Sequence, residues 1–313
     1  MRPKVSIIIP TYNTQSYINK AIESALSQTI TDIEIIVVDD ASTDASVDNA
    51  KQFSDCRLQI FVNPKNLGAG LTRNYGLQKA KGEWIALLDS DDWYAPERLE
   101  KLLHIANTEN ADVVADNLML IYDGATTPHG TQIDISSNKL NAFTQVDTLK
   151  FLQADTCGKF PLFSCTKPII KRDFLNRYNL VYDTELARLG EDFRFYLRCL
   201  VRGAKFFFTP EAYYFQRLRQ GSLTTQSMIS IINDFYLGNQ NLLKEAYIQE
   251  HPDVVKFLDK DAKVLRNKLS YYTVVETIKD RKWLHALQAM VLNPYFFILF
   301  SLRLPQILYR RLS

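Results

Sequence analysis

Three carboxylates fall within four positions, Asp89, Asp91 and Asp92, where the apolar run "IALL" breaks into "DSDDWY". Like charges this close repel and raise one another's pKa unless a cation sits among them. Two further acidic pairs stand out. Asp39 and Asp40 close the run "IEIIVVDD", and Glu191 and Asp192 open "EDFRFYLRCL" directly after Gly190. Such acids suit metal binding through hard oxygens, proton abstraction by a general base, or the favourable field at a helix N-terminus. Arg73 in "NLGAGLTRNYG", and Arg217 and Arg219 in "FQRLRQGSLT" beside Ser222, supply guanidinium groups that pair with phosphate or carboxylate.

The segments that must position these residues alternate between short apolar runs and amphipathic stretches. "VSIII", "IEIIVVDD", "LQIFVN", "EWIALLDSD" and "ADVVADNLMLIY" read as buried strands. Between them, Ile18, Ala21, Ile22, Ala25 and Leu26 form one helical stripe, and Leu99, Leu102, Leu103 and Ala106 form another after Pro96. Ser42 and Thr43 are placed to cap a helix, and "GLTRNYGLQKA" reads as one more. This alternation predicts an α/β chain with a mainly parallel sheet covered on both faces. In such sheets ligands lie beyond the carboxyl ends of the strands, and "PTYN", "DDAS" and "DSDD" all fall at such ends. Residues 125–146 are polar and turn-rich, and helical periodicity dominates from Met228 onward. The expected division is therefore residues 1–225 as one domain and 226–313 as a helical C-terminal region.

At 313 residues, with 46% hydrophobic and 23% charged, the chain can bury a large core and lacks a disordered composition. Its formal net charge of +2 is uneven. Lys279, Arg281, Lys282, Arg303, Arg310 and Arg311 stand against Asp280 alone, so a basic tail follows a slightly acidic body. That pattern points toward an anionic surface and away from a nucleic-acid coat. Cys56, Cys157, Cys165 and Cys199 show no zinc-ligand spacing and read as free thiols. His104, His129, His251 and His285 are far apart and form no HxxH pattern. The apolar run before Pro10 is too short for a signal-peptide core, which leads one to expect a cytoplasmic body.

Four motifs, in order, resemble the family 2 inverting glycosyltransferases of the GT-A fold. They are "VSIIIPTYN" with "DIEIIVVDDASTD", then "NLGAGLTRNYGLQKAKGEWIALLDSDDWYAPERL", "LGEDFRFYLRCL" and "YYFQRLRQGSLT". The likeness covers residues 3–225. It implies a Rossmann-like sheet flanked by helices, a nucleotide-sugar donor, usually UDP-linked, and a divalent metal, Mn²⁺ or Mg²⁺. Asp91 is the first choice for the metal and Asp92 the alternative, with Asp89 reaching the ribose. Asp40 is favoured for the uracil N3–H and Asp39 for a structural role, with Thr11 and Tyr12 flanking the uridine. Arg73 lies near the nucleotide. The Gly68–Gly70 pair does not make a dinucleotide fingerprint, because Arg73 stands where the third glycine belongs. Arg217, Arg219 and Ser222 would close over the diphosphate on a flexible loop, with Gln220 where some relatives carry a metal-binding histidine. Asp192 is the favoured general base and Glu191 the alternative. Trp93 and Tyr94 either shape the sugar pocket or pack beneath the acidic loop.

The run Tyr295–Leu304 is shorter than the roughly 20 residues needed to span a bilayer. With its flanking arginines it reads instead as an interfacial segment, or as packing against residues 230–280 or a partner. The expected activity is sugar transfer to a hydroxyl of a glycan or lipid-linked acceptor in surface-polysaccharide synthesis, on the cytoplasmic face of the plasma membrane. Transfer to a polyprenyl phosphate, and a non-catalytic sugar-nucleotide scaffold, are the alternatives.

Overall fold

A computed structural model of the chain describes residues 2–133, 142–156, 162–183, 189–219, 228–292, 296–298 and 300–301. In chain order the first part runs β1 (Val5–Thr11), α1 (Ile18–Leu26), β2 (Ile33–Asp39), α2 (Ser46–Lys51), β3 (Leu58–Val62), α3 (Ala69–Lys79) and β4 (Trp84–Leu87). It continues β5 (Trp93–Tyr94), α4 (Arg98–Thr108), β6 (Val113–Tyr122), β7 (Gly130–Thr131), β8 (Thr144–Val146) and α5 (Thr148–Asp155). Then come β9 (Ile169–Lys171), α6 (Arg172–Tyr178), α7 (Glu191–Val201) and β10 (Phe206–Leu218). The chain divides into two compact units, Met1–Asp155 with Phe160–Ser222, and Thr156–Lys159 with Leu223–Ser313.

One sheet organises the first unit, in the order β3-β2-β1-β4-β9-β6-β10-β5. Strands β3, β2, β1 and β4 are parallel, and β1 and β2 are buried almost throughout, as strands covered on both faces must be. β9 then enters antiparallel between β4 and β6, and β10 returns parallel to β6. Short antiparallel pieces, β5 and β8 on β10 and β7 on β6, complete it. The sequence reading finds the parallel half. It misses β9, because three residues carry no measurable periodicity.

Helices pack where their apolar stripes fall. Ile18, Ala21, Ile22 and Ala25 of α1, and Leu99, Leu102, Leu103 and Ala106 of α4, are buried. α3 differs, since its buried residues are Thr72, Arg73, Asn74 and Gly76. It lies so close to β1 that a Cβ on Gly76 would stand 2.4 Å from Ile8 Cγ2. Close approach, not an apolar stripe, seats this helix.

The second unit is helical: α8 (Met228–Leu242), α9 (Ala246–Gln249), α10 (Pro252–Lys279) and α11 (Trp283–Leu292). Pro252 starts α10 at a position where a missing N–H costs nothing. Asn239 Nδ2 donates to Asp261 Oδ2 at 2.8 Å between α8 and α10, and Tyr271, Val274 and Phe296 form a small apolar cluster. Among the described residues, no helix is long and apolar enough to cross a membrane.

Candidate active site

Because β1, β2 and β4 run parallel, Thr11, Asp39–Asp40 and Asp89 emerge on the same edge of the sheet. β10, parallel to β6, brings Arg217 to that edge too. Antiparallel β9 does the converse, since the residues that precede it arrive where β4 ends. Ile169 pairs with Ala86, which sets Lys167 beside Asp89.

Two cations join three carboxylates there. Arg73 Nη2 donates to Asp89 Oδ1 at 3.0 Å, and Nη1 donates to Glu191 Oε1 at 2.9 Å. Lys167 Nζ lies 2.8 Å from Asp192 Oδ2 and 3.2 Å from Asp89 Oδ2. Glu191 and Asp192 open α7, where the helix field also favours negative charge. Burial opposes the charge on Lys167, but Asp192 and Asp89 outweigh it and hold the ammonium's pKa above its usual value. Arg73 is held up in the same way, against burial, by Asp192, Asp89 and Glu191. Burial would also neutralise Asp89, yet Lys167 and Arg73 keep its carboxyl well below the usual carboxylate range. Glu191 moves the other way, because burial and then Asp192 raise it. Asp192 Oδ1 is buried without a hydrogen-bond partner, with the Arg73 guanidinium 3.6 Å away.

The remaining acids of the "DSDD" stretch have other partners. Asp91 Oδ2 accepts from Arg219 Nε at 2.7 Å, and among the described residues nothing donates to its Oδ1. Asp92, the alternative metal residue from sequence, is 3% exposed and uses both oxygens to hold β10. Its Oδ2 accepts from the Tyr214 hydroxyl and its Oδ1 from the Arg217 N–H, both at 2.8 Å. Burial, then Asp91 and Asp89, push its pKa well above the carboxylate range. Protein side chains thus supply cations beside Asp89 and Asp91, and Asp92 is biased toward its neutral form. Among the described residues, no three His, Cys, Asp or Glu side chains are grouped to hold a metal by themselves.

On β2 the acidic pair also divides its work. Asp40 accepts from Asn63 Nδ2 and Leu67 N at 2.9 Å and from Gly68 N at 2.8 Å, and so anchors the turn into α3. Gly68 takes φ +87° and ψ 162°, a region essentially restricted to glycine. Asp39 Oδ2 accepts from Ser42 N at 2.8 Å, while its buried Oδ1 has no partner. Thr11 is buried beside this pair, and Tyr12 is exposed.

Arg217 lies in β10 and not on a loop, because the strand continues to Leu218 beside β6. Its Nε donates to the Asp91 carbonyl at 2.9 Å and its Nη1 to Asp123 Oδ1 at 2.9 Å. Gln220 and Ser222 lie outside the described residues. Trp93 stacks on Phe215 with centroids 5.3 Å apart, and Lys20 Nζ stands 3.5 Å from its ring centroid. Tyr94 is a packing residue, buried with its hydroxyl donating to the Leu87 carbonyl.

Sequence reasoning does not find Lys167. It stands alone in "SCTKPII", with no periodic or acidic neighbour to mark it, and a lone lysine is ordinarily a surface residue. Beneath it, fully buried Arg98 donates from Nε and Nη2 to Asp116 at 3.0 and 2.7 Å, and Nη2 also donates to the Lys167 carbonyl.

The partly parallel sheet that carries paired acids at the carboxyl ends of its strands is shared with known proteins. The model of the family described as "Glycosyl transferase family 2" matches residues 6–167. The chain is 30% identical over 295 residues to the succinoglycan biosynthesis protein ExoO of Rhizobium meliloti (strain 1021), covering 94% of this chain and 82% of that one. It is 29% identical over 251 residues to UDP-Glc:alpha-D-GlcNAc-diphosphoundecaprenol beta-1,3-glucosyltransferase WfaP of Escherichia coli, covering 80% and 90%. In fold it matches S. aureus TarS 1-349 in complex with UDP-GlcNAc, with a TM-score of 0.68 at 22% identity over 91% of this chain and 79% of that one. A mannosyltransferase from Pyrobaculum calidifontis, in complex with GDP-Man and Mn2+, shares the fold at 16% identity and a TM-score of 0.60, covering 97% and 87%. This chain belongs to glycosyl transferase family 2 and is a glycosyltransferase.

Proposed function

We propose that the protein is an inverting, metal-dependent glycosyltransferase that moves a sugar from a UDP-linked donor to a hydroxyl of a glycan or lipid-linked acceptor. Asp192 is the general base. The observation that carries this reading is its Oδ1, a carboxylate oxygen with no hydrogen-bond donor, while Lys167 holds Oδ2. The acceptor oxygen attacks the anomeric carbon and gives its proton to Asp192. The bond from that carbon to the diphosphate breaks, and UDP leaves with the electron pair.

For the donor we favour Asp39 over Asp40 as the partner of the uracil N3–H. Asp39 keeps an unpartnered oxygen, whereas Asp40 is spent on three donors of the protein. Thr11 and Tyr12 flank the nucleoside in this reading, and Arg217 and Arg219 face the diphosphate. The chemistry of the donor set fits a divalent ion at Asp91, the acid of the stretch with an unengaged oxygen. Mg²⁺ and Mn²⁺ accept one or two carboxylates together with substrate phosphates. Such an ion, when bound, offsets the charge that builds on departing UDP. The names of ExoO and WfaP support a place in polysaccharide synthesis and a lipid-diphosphate acceptor class. Peripheral attachment to the cytoplasmic face of the plasma membrane, through the C-terminal region, completes the proposal.

Asp192→Asn tests it. With Mn²⁺ present, the variant is expected to lose at least about 100-fold in sugar transfer while binding UDP within about threefold of the parent chain. Ordinary turnover by that variant would remove the base assignment.

A further inference from the structure

Asp192 and Asp89 stand at two ends of the charged cluster, and two cations reach both: Lys167 at 2.8 and 3.2 Å, and Arg73 at 3.6 and 3.0 Å. The Lys167 side chain is 7% exposed, and its ammonium donates to Asp192 Oδ2 and ion-pairs with Asp89 Oδ2. A lysine is buried this deeply only when it is paired. Its backbone is pinned as well. Arg98, itself clamped on Asp116, donates to the Lys167 carbonyl, and the Tyr196 hydroxyl donates to the Thr166 carbonyl at 3.3 Å. Both ends of Lys167 are therefore fixed by α4 and α7.

Arg73 does not duplicate it. Its Nη1 hydrogen-bonds Glu191, and its 3.6 Å approach to Asp192 Oδ1 is an ion pair without a hydrogen bond. Each acid at the start of α7 thus has its own hydrogen-bonding cation, and Asp89 is shared. We propose that Lys167 is a positioning residue: it holds Asp192 by one oxygen, leaves the other without a hydrogen-bond donor for the acceptor's proton, and ties the base through Asp89 to the donor end. This rests on the reading of Asp192 as the base.

The groups that face Asp192 define what its loss would do. Glu191 and Tyr196 come from α7, Arg73 from α3, Tyr182 from the segment after α6, and Asp89 from the end of β4 through Lys167. Removing the ammonium leaves three carboxylates with Arg73 alone. A carboxylate that loses an adjacent cation binds its proton more tightly, so base activity must begin at higher pH.

Lys167→Met and Lys167→Arg, with Asp192→Asn beside them, provide the test. Turnover is followed as UDP release from UDP-glucose and UDP-N-acetylglucosamine with Mn²⁺, and thermal unfolding is followed without substrate. Lys167→Met is expected to lower kcat by at least about 100-fold with KM within about threefold. The acidic limb of its pH profile should move up by about one unit or more, and Lys167→Arg should recover part of both. Without substrate, the drop in Tm should be larger near about pH 8 than near about pH 5, because protonation relieves the uncompensated carboxylates. A Tm drop equal at both pH values, with the acidic limb unmoved, is the signature of lost packing and overturns the proposal. An inactive Asp192→Asn beside that result leaves the base assignment standing. An active Asp192→Asn, or a parent chain that releases no UDP, fells the functional reading and this proposal with it.

Discussion

Asp39 and Asp40 are chemically identical neighbours, and only their hydrogen bonds tell them apart. Asp39→Asn keeps an oxygen for the Ser42 N–H but replaces the unpartnered acceptor with a donor. We expect its stability to stay near that of the parent and its UDP affinity to fall about tenfold or more, as for a lost hydrogen bond to a charged group. Asp40→Asn should show the reverse pattern, losing about 1–3 kcal/mol of stability because the turn at Leu67 and Gly68 loses acceptors. Calorimetry with UDP and thermal melts of both variants decide the matter. Loss of UDP binding confined to Asp40→Asn would return the base contact to that residue.

At the scale of elements, α3 carries Arg73, and its place depends on contact with β1. Gly76→Ala would put a methyl group 2.4 Å from Ile8 Cγ2, so the helix must lift or Ile8 must leave its rotamer. The expected cost is about 1–3 kcal/mol, seen as a lower denaturant midpoint. Activity should fall further than the stability loss alone accounts for, because Arg73 moves away from Asp89 and Glu191. An unchanged midpoint would mean that α3 does not need this close approach. The same logic applies to β9, whose three residues contribute little pairing but set Lys167 at the end of β4.

Over the whole molecule, charge and apolar surface are unevenly placed. In the helical unit, Trp283, Leu284, Leu287 and Val291 of α11 are exposed, and Leu284 and Val291 reach 78% and 77%. Lys279, Arg281 and Lys282 precede them and are exposed too. An apolar face beside basic residues suits the interface of an anionic bilayer. The full-length variant Leu284→Glu/Leu287→Glu/Val291→Glu is expected to lose about tenfold or more in binding to phosphatidylglycerol vesicles, while UDP release in solution stays at the parent level. Equal vesicle binding by the variant and the parent would end the membrane proposal.

The amino-acid sequence alone determined the parallel half of the sheet, the helical stripes and the acidic strand ends. Those signals are local, since burial on both faces leaves unbroken apolar runs and carboxylates mark where such runs stop. Only the tertiary structure decided which acids are free and which are spent. Asp92 belongs to Tyr214 and Arg217, Asp40 to Asn63 and the turn after it, and Asp192 to Lys167. Hydrogen bonds across 23 to 125 residues leave no trace in spacing, and an antiparallel strand of three residues delivers its lysine without any periodic signal.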